Sequence, residues 1–467
     1  MTNDALQDLV DRFQRRRIDR RGLLKQAAAL GVSAAAVGAA IRKAPAVAQG
    51  GTKVTFWTTH VEPDLLSLRA IADNFNKENP GTQVEIVQIP PAEVTDVSKL
   101  MTAVRGGTGP DVYMLDRFIV AQRAADGLLE DLTPFIGEGN LGALEETYLP
   151  FAWAEANFQG KPYALPFDTD VRALYYSKTM LQEAGMDPNE FDPANGAMTL
   201  DRVAELALEL NQRDASGNYT RMGYVPWFNQ GWHYTYGFAF GGKFFDEASC
   251  QVTPDDPNVV AAFQWVYDFA KQLDPTKAQP FIQAAMRPGA PPQENPFIQK
   301  RLGMQVTGDW AIAHMARYAP DVDYGITFIP VPKQGDQPSS WAGGWSATIP
   351  KGAKEPEAGF QFMQYFAGEP GQRLYTKETN HLPTATNLLK DPSLFEERHR
   401  FFSDQLLPIA KNRPPLPVGA LYWDELTDAW EKTYLNQETP DKALATVKDR
   451  VQNQLQRFCP VEIEGGE

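Results

Sequence analysis

The hydrophobic positions of the chain change period repeatedly, from two residues to about 3.6 and back. Between 53 and 58 apolar and polar side chains alternate, which predicts a strand. Within 65–75 the apolar side chains are three or four residues apart, which predicts one face of a helix, and the Asn-Pro-Gly at 79–81 ends it. A further apolar stretch at 84–89 predicts a second strand. Strand, helix and strand in this order are typical of a parallel βαβ unit, so we predict an α/β fold.

The same change of period predicts further elements along the chain. We predict strands at 111–115, 171–176, 324–331 and 346–349. We predict helices at 93–104, after a Thr199 cap, at 259–273, at 356–367 and around 444–458. The Pro/Gly-rich stretch 286–296 predicts a long loop.

The stretch 160–178 combines an extended segment with the start of a new strand. Pro162 and Pro166 hold the backbone extended just before the predicted strand. This pattern suits a crossing between two lobes, and Asp168 and Asp170 lie on it. Because segments between lobes often hold ligands, we consider both acids as candidates, with a surface loop of solvated acids as the alternative.

Several motifs occur in the order found in one protein family. Gly-Lys-x-Tyr-x-Leu-Pro at 160–166, followed by Leu-Tyr-Tyr-Ser-Lys at 174–178, resembles the first interdomain crossing of the extracellular solute-binding proteins of ABC sugar importers. The Pro-Asp-Val…Gly-Leu-Leu block at 110–129, Gly-Asp-Trp at 308–310 and Gly-Gly-Trp at 343–345 follow in that family's order. The chain is therefore similar to the maltose-binding-protein-like family over most of its length.

This resemblance implies a two-lobed fold of type II, with discontinuous lobes joined by a hinge. The N-terminal lobe would comprise 49–166 and 331–388, and the C-terminal lobe 167–330 and 389–467. Such lobes close on a ligand by bending at the crossings.

The resemblance also implies site residues. Asp116 and Arg117 match an Asp-Arg-Phe whose Asp and Arg contact sugar in maltose-binding protein, and they follow a predicted parallel strand, where ligands bind in open sheets. A surface ion pair is the alternative. Trp310, Trp345 and Trp423 match positions in sugar-binding segments, with core packing as the alternative. On this basis we expect Asp116→Asn to weaken ligand recognition with little effect on folding.

Two further candidates come from position alone. Trp232 lies in the aromatic-rich stretch 223–242, and His60 follows the first predicted strand. Flat aromatic faces suit the C–H surfaces of sugars, and paired polar groups suit their hydroxyls. A lone histidine, however, is more often structural.

The N-terminus has the organisation of an export signal. Arg20 and Arg21 precede an Ala-rich apolar run at 26–40, and Ala-Val-Ala at 46–48 is a cleavage signal. The arginine pair resembles a twin-arginine signal. We therefore expect residues 1–48 to be removed and the mature chain to be a soluble periplasmic protein, with a retained basic helix as the alternative.

The net charge limits the possible partners. The whole chain carries a net charge of −15, and without the +5 of residues 1–48 the mature chain carries −20, which argues against nucleic acid as a partner.

The chain has two cysteines, Cys250 and Cys459. After export they would share an oxidising compartment, where they would form either a disulfide or two buried thiols.

The sequence offers no motif for catalysis, metal binding or a cofactor. It has no Gly-x-Ser-x-Gly elbow and no His-Glu-x-x-His, and its five histidines are without ligand spacing. We therefore predict a monomeric, non-enzymatic receptor without cofactor or metal. It would bind a sugar or polyol and deliver it to the membrane permease of an ABC importer. The alternatives are an exported glycosidase, or the same fold binding a glycerol phosphoester or another polar metabolite, for which Arg117 and Arg172 could supply the positive charge.

Overall fold

The computed structural model describes residues 51–461 and 463, so the predicted signal segment 1–48 lies outside the described residues. The described chain belongs to two compact units. In the smaller one, which includes 51–53 and 76–83, the Thr52 N–H donates to the Gly81 carbonyl at 3.0 Å. The larger unit, 54–75 and everything from 84 onward, holds all the candidate residues.

The structure alternates strands and helices along the chain, as the changing hydrophobic period predicts. The strands are β1 Thr52–Thr58, β2 Thr82–Gln88, β3 Val112–Asp116, β4 Asn157–Phe158, β5 Lys161–Pro162, β6 Ala164–Pro166, β7 Asp168–Ser177, β8 Gln212–Arg213, β9 Tyr219–Tyr224, β10 Phe245–Asp246, β11 Gln251–Val252, β12 Leu302–Gly308, β13 Tyr324–Thr327, β14 Ser340–Gly343, β15 Trp345–Thr348, β16 Leu382–Pro383 and β17 Ala410–Asn412. The α-helices are Asp64–Glu78, Ser98–Arg105, Val120–Ala125, Thr133–Ile136, Leu141–Glu145, Pro150–Glu155, Lys178–Glu183, Leu200–Leu210, His233–Ala239, Pro257–Leu273, Pro275–Met286, Ala311–Tyr318, Pro356–Phe366, Glu369–Thr379, Thr386–Leu389, Glu397–Arg400, Gly419–Tyr434 and Pro440–Leu455.

A five-stranded sheet has the order β2-β1-β3-β15-β6. β1 and β3 are parallel, with Phe56 opposite Val112, whereas β15 runs antiparallel to both β3 and β6. Phe56, Val112 and Ala347 are fully buried on three neighbouring strands. The core of this sheet thus forms from segments that are far apart in the chain.

A larger sheet of eight strands is built around β7. All ten residues of β7 are buried, and the strand pairs antiparallel with β12, β13, β14 and β16. The predicted strand 171–176 lies inside β7 and is confirmed. Buried Leu174 of β7 and Val306 of β12 are opposite each other in this core. The apolar and aromatic residues of β7 are concentrated at 173–176, whereas the buried Asp170 and Arg172 lie nearer its start.

The chain passes between the two sheets at single residues. β6 belongs to the five-stranded sheet and β7 to the larger one, with only Phe167 between them. Gly344 separates β14 of the larger sheet from β15 of the smaller one and has a φ of 131°. A Cβ at Gly344 would lie 2.9 Å from the Thr169 Cα, so this passage requires glycine. The predicted lobe boundaries near 166, 330 and 388 stay predictions.

Other predicted elements differ in their bounds. Thr199 caps the helix Leu200–Leu210 as predicted, since its Oγ1 accepts the Arg202 N–H at 3.2 Å. The helix expected at 93–104 is Ser98–Arg105, because the turn at 93–97 precedes it. The aromatic-rich stretch 223–242 contains the helix His233–Ala239, most of whose side chains are buried.

Cys250 and Cys459 form a disulfide that joins positions 209 residues apart, so the alternative of two free thiols is wrong. The C-terminal helix Pro440–Leu455 leads directly to Cys459 through a short 3₁₀ turn. None of the helices described here is both long and apolar enough to span a bilayer.

Candidate functional site

A cavity of ≈ 330 Å³ is lined by residues from both sheets. Asp116 ends β3 and Trp345 begins β15 in the smaller sheet, whereas Asp170 lies on β7 of the larger one. The volume falls in the range of small-molecule sites, roughly 300–1,000 Å³. Seven of the nine residues predicted from the sequence line this cavity: His60, Asp116, Asp170, Trp232, Trp310, Trp345 and Trp423.

Arg117 and Asp168 do not line it. The Arg117 side chain is fully buried, donates from Nε to Glu155 Oε2 at 3.0 Å, and donates to the backbone carbonyls of Asp168 and Gly343. Asp168 accepts the Trp345 N–H at 2.6 Å through its Oδ1. Arg117 and Asp168 therefore connect the two segments at which the chain passes from one sheet to the other. The structure does not place either side chain where a ligand in the cavity would touch it.

Asp116 faces the cavity with a partner that the sequence does not suggest. Arg413, which follows β17, donates from Nη2 to Asp116 Oδ1 at 2.8 Å, across 297 residues of sequence. The Arg413 guanidinium also lies 3.8 Å from the ring centroid of Phe118. Burial raises the pKa of the Asp116 carboxyl, and the charge of Arg413 opposes that rise. The result is a buried ion pair whose remaining carboxylate surface is turned to the cavity.

A second ion pair joins two alternate residues of β7. Asp170 and Arg172 share one face of the strand, and the Arg172 guanidinium donates to Asp170 Oδ1. Arg172 also donates to Gln230 Oε1 at 3.1 and 3.2 Å and lies 3.5 Å from the ring centroid of Trp341. Burial acts to raise the pKa of Asp170, but the surrounding positive charges, that of Arg172 first among them, together lower that pKa. Both cavity arginines are thus neutralised by an aspartate and covered by an aromatic ring.

Aromatic rings form the walls. Trp345 contacts His60 edge-on at 4.5 Å between ring centroids, and Trp310 stacks on His381 at 5.4 Å with 15° between the planes. Trp232 packs at 5.4 Å from Trp423 on another side. Such walls offer flat apolar faces beside the polar ion pairs.

The three histidines that line the cavity are neutral near pH 7. Burial lowers the pKa of His60 and of His314 to about 4, and that of His381 to about 3. A neutral imidazole carries one donor and one acceptor nitrogen, as a hydroxyl-rich ligand requires. Within the described residues, no group of three His, Cys, Asp or Glu side chains is arranged to hold a metal ion.

Sequence reasoning missed Arg413, Trp341, Gln230 and His381 as lining residues. Trp341 lies on β14, two residues before the Gly-Gly-Trp motif that the sequence already assigns to the site. Residues two apart on a strand share a face, so the sequence could have indicated Trp341 as a lining residue. Arg413 carries no local signal, because its place depends on the parallel pairing of β14 with β17.

A model of the bacterial extracellular solute-binding protein family matches residues 61–373, about two thirds of the chain. The chain belongs to this family. The two-lobed α/β fold that the sequence predicts is confirmed, since solved structures of solute-binding proteins share it.

Individual solute-binding proteins are similar over most of their length. The maltotriose-binding protein of Pyrococcus abyssi is 22% identical over 380 residues, which is 80% of this chain and 76% of that protein. The sn-glycerol-3-phosphate-binding periplasmic protein UgpB of Pectobacterium atrosepticum is 24% identical over 93% of this chain and 98% of its own. The GacH receptor of Streptomyces glaucescens, solved unliganded and with acarbose, is 26% identical with a TM-score of 0.70 and covers 87% of this chain and 99% of its own.

Proposed function

We propose that this protein is the receptor of an ABC importer and binds a neutral sugar or polyol in the 330 Å³ cavity. The observation that carries the proposal is the combination of tryptophan walls with carboxylate, amide and neutral imidazole groups around one cavity. Aromatic faces suit sugar C–H surfaces, and the polar groups suit hydroxyl pairs. A maltotriose-binding relative and an acarbose-binding receptor of the same fold support this choice.

The charges of the cavity favour a neutral ligand over a phosphoester. Among the described lining residues, the arginines Arg172 and Arg413 are each paired with an aspartate. A phosphate would have to displace one of these buried carboxylates, whereas a hydroxyl can use the carboxylate oxygens that remain. The glycerol phosphoester that the name of UgpB implies is therefore our second candidate rather than our first.

We propose binding without turnover. Glycoside hydrolysis needs one protonated carboxyl and one free carboxylate on either side of the scissile bond. Asp116 and Asp170 each accept hydrogen bonds from an arginine, an arrangement suited to holding hydroxyls. A ligand recovered unchanged after prolonged incubation with stoichiometric protein supports a receptor. Cleaved product that depends on Asp116 or Asp170 contradicts it.

The test of the ligand class is calorimetry on the mature protein with mono- and oligosaccharides, polyols, glycerol 3-phosphate and glycerophosphocholine. We expect saturable binding of a sugar or polyol and none of the phosphoesters. Trp310→Ala should then weaken binding about ten- to a hundredfold, since a lost aromatic wall costs roughly 1–3 kcal/mol.

Trp57→Ala is the matched control, because Trp57 is half-buried but outside the cavity lining. Both variants are compared at matched melting temperatures. Binding of phosphoesters alone, or wild-type affinity in a folded Trp310→Ala variant, contradicts the proposed site.

We further propose export to the periplasm through the signal at 1–48, function as a monomer, and delivery to a membrane permease. The proposal rests on the arginine pair, the apolar run and the Ala-Val-Ala signal. N-terminal sequencing of exported protein should begin at Gln49, and replacing Arg20 and Arg21 with lysine should block export. Material that still contains this pair, or unchanged export of the variant, contradicts the assignment.

A further inference from the structure

A second cavity adjoins the one already described. Its volume is ≈ 160 Å³, about half that of the main cavity, and Trp310 and His314 line both. Its floor includes Gln305 and Thr307, which are almost fully buried on β12. Its roof includes Ala290, Pro291, Pro292 and Asn295, in the stretch that the sequence predicts as a Pro/Gly-rich loop.

The polar groups of this second cavity are neutral. Asn229 and Asn295 donate their side-chain N–H to Gln305 Oε1 at 3.2 and 2.9 Å, so the three amides form one connected set. Its described lining holds amides, a hydroxyl, an imidazole and apolar side chains, without a charged residue. Amides and hydroxyls recognise other hydroxyls, and this lining supplies no charge to balance that of a phosphate or an ammonium.

His314, which lines both cavities, has a ring nitrogen that is unpaired among the described residues. Its Nε2 is buried and has no hydrogen-bond partner within the described chain. A buried polar atom without a partner is costly, and a ligand hydroxyl would relieve that cost. Burial lowers the pKa of this imidazole to about 4, so the ring is neutral near pH 7 and its unpaired nitrogen suits a hydroxyl.

The roof loop of the second cavity also contacts segments next to the main cavity. A Cβ built on Gly289 would lie 2.6 Å from Pro91 Cγ and 3.6 Å from Val61 Cγ1, so the loop touches the segments that follow β1 and β2. Val61 is next to His60, which lines the main cavity. Arg287 and Glu294 close the base of the loop, with 2.8 Å between Nη2 and Oε1. The second cavity therefore lies beside the main cavity, beneath a loop that extends to the segments after β1 and β2.

We propose that this second cavity is a subsite of the binding site and takes a neutral, hydroxylated unit joined to the part of the ligand in the main cavity. The ligand then has at least two units, such as a disaccharide or a longer oligosaccharide. The inference rests on the proposed function. Trp310 and His314 contact both units, one from each side.

A filling substitution tests the subsite. Ala285 lines only the second cavity and is half-buried, whereas its neighbour Ala284 is exposed and lines neither cavity. Calorimetry compares wild type, Ala285→Phe and Ala284→Phe with glucose and maltose, mannose and mannobiose, and galactose and lactose. We expect wild type to bind one disaccharide at least tenfold more tightly than its monosaccharide.

In that series, Ala285→Phe should lower disaccharide affinity at least tenfold and change monosaccharide affinity less than twofold. Ala284→Phe should change neither. Thr307→Val keeps the shape of the floor and removes its hydroxyl, so it provides the same test if Ala285→Phe does not fold. It should lower disaccharide affinity several-fold and spare the monosaccharide.

Two failures are distinguishable. If wild type binds none of these sugars and none of the sugars and polyols tested for the ligand class, the proposed function is overturned and the subsite with it. If wild type binds a monosaccharide as tightly as its disaccharide, or if both folded variants treat the two alike, the subsite is overturned while the receptor assignment stands.

Discussion

Removing the charge of Asp116 should destabilise the protein strongly. The sequence alone leads to the opposite expectation, since an exposed binding-site carboxylate can become an amide without harm to folding. In the structure, however, Asp116 neutralises Arg413, whose side chain is only 2% exposed. Asp116→Asn leaves that guanidinium buried with an uncompensated charge.

The magnitude follows from the burial of Arg413. Breaking a buried ion pair by removing one partner typically costs about 3–5 kcal/mol. The ring contacts of Arg413 with Phe118 at 3.8 Å, Trp341 at 4.9 Å and Trp423 at 5.4 Å are already made in the wild type, so they do not offset this cost. We therefore expect Asp116→Asn to lower the free energy of unfolding by about 3–5 kcal/mol.

Replacing both partners should recover much of the loss. Arg413→Met fills similar space without charge, so Asp116→Asn combined with Arg413→Met should be more stable than Asp116→Asn alone. Asp428→Asn is the matched control, because its pair with Lys432 is exposed on a helix at 2.6 Å. That control should cost about 0.5 kcal/mol or less.

The assay is urea unfolding followed by both tryptophan fluorescence and circular dichroism, since coincident transitions are needed for a free energy in a chain of this size. A loss below about 1 kcal/mol for Asp116→Asn, or a double variant no more stable than the single one, would falsify the buried-pair interpretation.

Three further predictions concern other parts of the fold. His381→Gln should make stability less sensitive to acid. Burial lowers the pKa of His381 in the folded protein to about 3, so wild type loses the stability contributed by this group as pH falls from about 6.5 towards 3. Urea unfolding at a series of pH values should therefore show that the free energy of unfolding of the variant falls less steeply with pH, by up to about 1.4 kcal/mol per pH unit. Equal slopes would contradict this. Reducing the Cys250–Cys459 disulfide should lower stability by about 2–5 kcal/mol and hence the melting temperature; an unchanged melting temperature after complete reduction would count against a structural role. Gly344→Ala should cost more than Gly335→Ala, because both have positive φ but the space around Gly335 is open; similar melting temperatures for the two variants would show that the contacts of Gly344 do not matter.

Adjacent residues of the site show where sequence reasoning works and where it stops. Asp116 and Arg117 belong to one motif, and the sequence places both beside the end of a strand. Strand alternation ends at Asp116, which faces the cavity, whereas Arg117 begins a 3₁₀ turn and contacts Glu155. The motif alone assigned the two residues a common role, and the turn after the strand separates them.

The same alternation connects Asp170 and Arg172, which are two residues apart on β7 and line the cavity together. The sequence raised Arg172 only as a phosphate ligand. Its pairing with Asp170 and its position over Trp341 give it a different part in the site.

The sequence by itself determined the α/β class, the order of the elements and the segments in which most site residues lie. Those properties depend on local periodicity, on proline and glycine breaks, and on short motifs, all of which act over a few residues. The tertiary structure alone decided that Arg413 neutralises Asp116, that Cys250 meets Cys459, and that a second cavity adjoins Trp310. These contacts join segments far apart in the chain, up to 297 residues for Arg413 and Asp116. The place of Arg413 depends on the register in which β7, β14 and β17 pair, which no local pattern encodes.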